Sequence, residues 1–485
     1  MAVDRGMTAP NVVLVYADDL GYGDVKCCNP ASKIPTPNLD RLAAQGVVFA
    51  DAHTPAAICG PSRYGLLTGR YPWRNDRGIE LGHAYDQCKI EEGRLTLAAM
   101  LGGIGYHCAE MGKWGLRYDY RSALRDPATP LDKIGPESFD YSRPILGPNI
   151  RGFDYSLTAV MFAIPDPQNP ARTIKSKWMM ENGRAADGED VDPANFDWYA
   201  FLPRITDRAV EYIEAQAGSR DEPAFGIERQ QPFFLYFDPH VPHLPLVPNA
   251  PFRGTSEAGE YGDYVVELDD SIGRLMQALE DNGLAENTIF MVSSDNGPES
   301  VCYEQIRTYG HYSMGDLRGV KRDNWEGGSR VPFLVRWPGL APAGTRNETP
   351  IGLIGMMATL AEYFGIELDS ESGVDSHSFL AQMRNPEQVC PEMPPVVYHT
   401  PKGDLALRWN GWVYIDAPSG MCSHEPEWFR EERGVQAHTQ AVELFDLRED
   451  PQQLVNVAAR CPDQVRAMEA ELERISASSG SRFLT

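Results

Sequence analysis

Asn11-Val12-Val13-Leu14-Val15-Tyr16 is an unbroken apolar run that stops at Ala17-Asp18-Asp19-Leu20-Gly21-Tyr22-Gly23-Asp24. A run without polar alternation fits a strand buried on both faces. Phe233-Phe234-Leu235-Tyr236-Phe237 repeats the pattern. So does Thr288-Ile289-Phe290-Met291-Val292, which ends in Ser293-Ser294-Asp295-Asn296-Gly297. Helical signals lie between these runs. Thr36 to Gly46 carries a Thr cap, Pro37 at the first helical position and a closing glycine. Glu267 to Leu279 spaces Leu268, Ile272, Leu275, Met276 and Leu279 along one helical face. Strands alternating with helices predict an α/β sheet with helices on its faces. Ligands of such sheets collect beyond the carboxyl ends of strands, where Asp18-Asp19 and Asp295-Asn296 fall.

At 485 residues the chain is long enough for one large and one smaller domain. Residues 120–200 are rich in Pro, Gly and Asp, which predicts long loops and short elements over the site. Their neighbourhood carries aromatics able to stack on sugars (Phe153, Tyr155, Phe162, Trp178, Trp198 and Tyr199), although such rings more often belong to a core. From residue 385 the character shifts to short antiparallel strands at Val396-Val397-Tyr398, Leu405 to Trp409, Trp412 to Ile415 and Leu444 to Leu447. A closing helix is expected from about Asp463 to Ile475. The division is therefore 1–384 and 385–485.

A hydrophobic content of 42% with 23% charged residues is that of a soluble globular protein. The formal charge of −25 argues against a nucleic-acid partner and against an anionic membrane surface. No stretch reaches the roughly eighteen apolar residues of a membrane span. The sequence as written opens without an apolar signal segment, so its literal reading is cytoplasmic; a processed or engineered start would make it periplasmic or secreted. The nine cysteines form no C-x-x-C pair, which suggests neither a disulfide framework nor a zinc site. Asn347-Glu348-Thr349 is a glycosylation sequon only in a secreted chain.

Cys59-Gly60-Pro61-Ser62-Arg63-Tyr64-Gly65-Leu66-Leu67-Thr68-Gly69-Arg70 carries the chemistry. Ser62 to Thr68 reads as a short helix ending at Gly69, with Pro61 at its start. A helix start beside residue 59 would aim N–H groups and the positive end of the dipole at an anion, and Arg63 adds a guanidinium. A lone Cys before a helix would be a small buried hydrophobe. Asp18 and Asp19, like Asp295 and Asn296, crowd polar groups where buried strands end. That arrangement calls for a cation or basic partners. Hard oxygen ligands favour calcium or magnesium, and a large oxygen shell favours calcium.

The run from Cys59 to Arg70 resembles the C-x-P-S-R-x-x-L-x-x-G-R signature of the type I, formylglycine-dependent sulfatases of the alkaline phosphatase superfamily. The resemblance implies a central, mostly parallel mixed sheet sandwiched by helices, with a smaller C-terminal antiparallel sheet and helix. It also implies that a formylglycine-generating maturation enzyme oxidises Cys59, and that Asp18, Asp19, Asp295, Asn296 and residue 59 hold a divalent cation. Gly105 to Leu116 resembles the second signature, G-Y-x-T-x-x-x-G-K-W-H-L. Lys113 matches its sulfate-binding lysine, while Gly115 stands where relatives carry a histidine. Pro239-His240-Val241-Pro242-His243 has zinc-like spacing without a third soft ligand nearby. By resemblance His243 protonates the leaving alcohol, and His240 contacts substrate. Leu317 to Gly328 resembles L-R-G-x-K before E-G-G, making Lys321 the lysine that bridges sulfate and ester oxygen. His311 precedes it as a further substrate contact. Glu443 to Pro451 resembles the common E-L-Y-D-L-x-x-D-P ending, while Gly352 replaces a usual Asp.

The implied catalytic set is Cys59, Arg63, Lys113, His243 and Lys321, acting on aryl or carbohydrate sulfate monoesters. Three other readings stay open. One is a phosphonate monoester or phosphodiester hydrolase with the same nucleophile. Another is a sulfated-glycan-binding pseudoenzyme, for which Gly115 speaks. The last is a metal-binding structural protein whose Cys59 is never converted.

Overall fold

The computed structural model describes residues 9–478, apart from 76–86, 131–132, 135–137, 141, 167–168, 187–195, 228–229, 389 and 391–392. For 160–166 and 169–178 it describes the backbone alone, so the side chains of Phe162 and Trp178 lie outside it. Among the described residues one sheet contains β1 (Asn11–Ala17), β2 (Val47–His53), β3 (His107–Gly112), β4 (Tyr155–Asp166), β5 (Asn169–Glu181), β6 (Arg184–Ala185), β7 (Phe233–Asp238), β8 (Thr288–Ser294), β9 (Arg330–Arg336), β10 (Thr345–Asn347) and β11 (Ile351–Gly352). Their order is β10-β2-β9-β8-β1-β7-β3-β4-β5-β6, with β11 on β2. The centre, from β8 through β1, β7 and β3 to β4, is parallel. By contrast β9 is antiparallel to β2 and β8, and β5 to β4.

The apolar runs are continuous because both sides of the sheet are covered. Along β1, Val13 and Val15 enter one core while Val12, Leu14 and Tyr16 enter the other, as the two-residue period of a strand requires. The helices before the last sheet are α1 (Pro37–Gln45), α2 (Cys59–Thr68), α3 (Leu97–Gly102), α4 (Trp198–Gln216), α5 (Gly259–Asp281), α6 (Cys302–Tyr309), α7 (Glu326–Ser329), α8 (Met356–Phe364) and α9 (Leu380–Arg384). Leu39 of α1, Ile205 of α4 and Leu268 of α5 fill the first core. Leu66 of α2, Leu101 of α3 and Leu360 of α8 fill the second.

The C-terminal part is a four-stranded antiparallel sheet in the order β12 (Val396–His399), β13 (Leu405–Trp409), β14 (Trp412–Ile415) and β15 (Glu443–Asp446). It is accompanied by α10 (Glu427–Arg433) and α11 (Pro462–Ala477). Met468, Leu472 and Ile475 of α11 pack with Leu407 and Tyr414.

Two expectations change. The stretch read as loops contains the long β4–β5 hairpin, whose Phe153 and Tyr155 surroundings are core, not sugar contacts. The sequon asparagine, Asn347, is fully buried on β10 and donates to Pro386 O, so it offers no acceptor for a glycan. Among the described residues no helix is long and apolar enough to cross a membrane.

Candidate active site

Residue 59 stands at the head of α2. The helix begins at Cys59 itself, earlier than the Ser62 start expected, with Ile58 extended just before it and Gly69 closing it at φ 62°. Gly60 to Thr68 are all buried, and Ser62 Oγ hydrogen-bonds the Tyr16 hydroxyl of β1 at 2.8 Å. Cys59 itself is half-buried. Its Sγ and carboxylate oxygens of Asp18 and Asp295 lie within 4.8 Å of one another. The helix start thus brings the thiol to the carboxyl ends of β1 and β8.

Asp18 Oδ2 accepts from Lys113 Nζ at 2.5 Å and from His240 Nδ1 at 2.5 Å. Asp19 pairs with Lys321 Nζ at 2.6 Å and accepts from Asn296 Nδ2 at 2.7 Å. Its own backbone is left-handed, φ 69°, a conformation that aspartate tolerates better than most residues. Asp18 Oδ1 and Asn296 Oδ1 are buried with no hydrogen-bond partner. Burial would raise Asp18, but Lys113, His243 and His240 outweigh it and hold the carboxyl well below its usual range. Burial and then the charge of Asp18 push Asp295 up to about 7. Two unpartnered hard oxygens beside carboxylates costly to ionise fit a hard divalent cation.

Arg63 departs from expectation. It is fully buried, and its Nη2 and Nε reach Asp295 Oδ2 at 2.8 and 2.9 Å. Nη1 donates to Lys113 O at 3.0 Å and meets Asp238 Oδ2 at 3.3 Å. The guanidinium thereby positions Asp295 and the Lys113 loop, while its Nη2 makes no hydrogen bond. Behind it burial raises the Glu110 and Asp238 carboxyls, Asp238 to about 8. Neither acid was singled out from sequence, although Asp238 closes the apolar run of β7, where the strand-end rule applies.

The histidines separate. His243 Nδ1 donates to Leu244 O at 2.7 Å, leaving the lone pair on Nε2, which lies 3.8 Å from Asp19 Oδ2. Burial, then Lys113 and Lys321 against the pull of Asp18, lowers His243 to about 2. His240 is buried and stacks on His243 at 4.2 Å between centroids. An Asp18 oxygen and both imidazoles lie within 4.8 Å of one another, but a carboxylate oxygen is not the third soft ligand that the H-x-x-H spacing lacks. His311 is not brought to the cluster as a substrate contact. It is 1% exposed, with Nε2 on Asp24 Oδ1 at 2.8 Å and Nδ1 facing Lys33 N. Gly115 adopts φ 71°, and a Cβ there would lie 3.0 Å from Arg63 Cδ.

Comparison with known proteins gives the family of the chain. The Sulfatase family profile matches residues 10–366. The chain belongs to the sulfatase family. An N-acetylgalactosamine-6-O-sulfatase of Bacteroides thetaiotaomicron is 30% identical, over 97% of this chain and 94% of its own length. Human arylsulfatase A is 31% identical, over 95% of this chain and 86% of its own. A solved 6S-sulfatase from glycosaminoglycan metabolism of B. thetaiotaomicron superposes with TM-score 0.77 at 26% identity, covering 97% of this chain and all of that one. The phosphonate monoester hydrolase of Agrobacterium radiobacter shares the fold, at TM-score 0.60 and 18% identity over 97% of this chain and 96% of that one. Sulfate-ester hydrolysis is thus the reaction class of this sulfatase. The family uses a metal ion, and the sulfatase offers acidic and histidine groups able to hold one.

Proposed function

We propose that this sulfatase hydrolyses aryl or carbohydrate sulfate monoesters with residue 59 as formylglycine, installed by a formylglycine-generating enzyme. The cation we assign is calcium, held by Asp18, Asp19, Asp295 and Asn296 beside residue 59. The observation that carries this reading is Cys59 at the head of a buried helix, within 4.8 Å of two carboxylates. A hydrated formylglycine supplies a nucleophilic hydroxyl and a second hydroxyl through which sulfate is later expelled, and the cation supplies positive charge.

The chain's own residues do the rest. Lys113 and Lys321 approach from opposite carboxylates and offset charge building on the sulfuryl oxygens, commonly the largest contribution to catalysis. Arg63 fixes Asp295 and the Lys113 backbone. His243 presents Nε2 toward the cluster and delivers a proton to the leaving alcohol. Burial, ahead of the two lysines, favours its neutral form in the free protein, so the proton it delivers is taken up as the anionic substrate binds. We further propose 1–384 as the catalytic domain and 385–485 as a C-terminal subdomain, supported by the separate antiparallel sheet.

The test is protein co-expressed with a formylglycine-generating enzyme, with conversion at residue 59 checked by mass spectrometry. It would be assayed on 4-nitrophenyl sulfate and 4-nitrophenyl phenylphosphonate beside Cys59→Ala. Sulfate turnover lost in the variant is the expected result. Preference for the phosphonate, or no hydrolysis by converted protein, would overturn the reading.

A further inference from the structure

His311 and Asp24 form a buried pair that the mechanism above leaves unused. Asp24 is fully buried, and three donors converge on its carboxylate. Gly21 N reaches Oδ2 at 2.8 Å, the Tyr261 hydroxyl of α5 reaches the same oxygen at 2.5 Å, and His311 Nε2 reaches Oδ1 at 2.8 Å. The Lys33 N–H, which can only donate, faces His311 Nδ1 at 3.5 Å. The ring proton therefore sits on Nε2, and the imidazole donates to Asp24.

These contacts close the turn that carries Asp19. Within that turn Asp19 N lies 3.2 Å from Asp295 Oδ1, Leu20 N donates to Ser294 Oγ at 2.9 Å, and Gly23 N donates to Ser313 O at 2.7 Å. The Tyr261 oxygen that serves Asp24 also lies 3.4 Å from Asp19 O. The loop bearing His311 presses on the turn from the other side. A Cβ at Gly21 would stand 2.1 Å from Ser313 O, and one at Gly23 would stand 2.2 Å from Tyr312 O. Turn, α5 and the loop after α6 thus pack as one unit.

Asp19 needs such support. Its backbone is left-handed, a conformation that a residue with a side chain keeps only where its surroundings hold it. Relaxed to an ordinary φ, Asp19 would carry its carboxylate away from Lys321 and Asn296. A cation site would then lose one of its hard oxygens.

Resting on the sulfatase reading and its cation, we propose that His311, acting through Asp24 and Tyr261, is a positioning residue for the metal site. It holds Asp19 in the left-handed conformation in which the carboxylate can meet a divalent cation. Its action is on the metal and not on the substrate.

The test titrates calcium, and magnesium in parallel, calorimetrically into metal-free Cys59→Ala protein carrying a second substitution. His311→Ala should weaken calcium about tenfold or more, and Tyr261→Phe several-fold. His311→Gln, whose amide N–H can stand in for Nε2–H, should recover most of the loss. Asp269 accepts from Asn38 N and Leu39 N at the start of α1, away from this turn. Asp269→Ala therefore measures general destabilisation and should leave calcium within about twofold. The proposal is overturned if His311→Ala leaves calcium affinity unchanged, or if Asp269→Ala weakens it as much. It is also overturned if His311→Ala weakens only inorganic sulfate, measured in saturating calcium, which would return His311 to the substrate. Should His311→Ala fail to fold, Tyr261→Phe, which removes one hydroxyl, decides by the same criteria. A Cys59→Ala parent that takes neither cation sinks the cation reading together with this proposal. A parent that binds calcium no better than the variants sinks the proposal alone.

Discussion

A side chain at position 115 would have to enter a left-handed backbone, φ 71°, with its Cβ 3.0 Å from Arg63 Cδ. The family's histidine therefore does not fit here by simple replacement. Gly115→His is expected to cost about 1–2 kcal/mol from the backbone alone. It should lower both the melting temperature and kcat/KM for 4-nitrophenyl sulfate; a rise in kcat/KM would show that the loop accepts the ring. His399 gives a second expectation at this scale. It is fully buried, Nδ1 donates to Thr400 O, Nε2 has no partner, and burial pushes the imidazole down to about 4. Its folded pKa lies below the unfolded value near 6.5, so its contribution is present above that value and is lost as pH falls toward 4. Between pH 7 and 5 the wild type should lose about 2 kcal/mol more than His399→Gln. Urea unfolding at the two pH values measures the difference, and equal losses would dismiss it.

Among the elements, α1 shows how a helix start can be completed from elsewhere in the chain. Thr36 accepts from Lys26 N instead of capping, and the Asp269 carboxylate of α5 accepts from Asn38 N at 3.0 Å and Leu39 N at 2.9 Å. Asp269→Ala should cost about 1–2 kcal/mol, read as a lower urea midpoint; no change would mean that water serves the two N–H groups equally well. The bounds of α1 and the three central strands were legible because periodicity and Pro–Gly punctuation are local. Asp269 was not, because it arrives from 230 residues away. The same distinction runs through the candidate site. The strand-end acids, Cys59 and the two lysines announce themselves in short motifs. That Arg63 would pair with Asp295 and Asp238, that His311 would turn to Asp24, and that Trp198 would meet His240 depends on tertiary neighbours. The β4–β5 hairpin was hidden by a Pro- and Asp-rich composition that resembles loop.

For the molecule as a whole, the proposed subdomain at 385–485 is bound into the rest by charge and by packing. Arg408 reaches Asp51 at 3.0 Å, and Arg318 holds Glu425 through two hydrogen bonds of 3.0 and 2.9 Å. Trp325, a few residues beyond Lys321, packs among Val396, Tyr398, Ala406, Val413 and Phe445. Ending the chain after residue 384 would take Arg408 from Asp51, which keeps His53 and Arg330, would strip Arg318 of Glu425, a broken buried pair worth about 3–5 kcal/mol, and would uncover Trp325. The shortened protein is expected to be insoluble, or to bind a hydrophobic dye without a cooperative unfolding transition. A soluble fragment that unfolds cooperatively would contradict this. The strand order carries a consequence in time. β1 is synthesised first yet sits between β7 and β8, and Asp19 meets Asn296 from 277 residues away. At ribosomal rates of about 5–20 residues per second, roughly 14–55 s pass between the making of the two. For most of that interval the nascent Cys59 peptide has no completed sheet to close over it, and under the proposed function that is when its flanking residues Gly60 to Thr68, all buried in the fold, are open to a modifying enzyme.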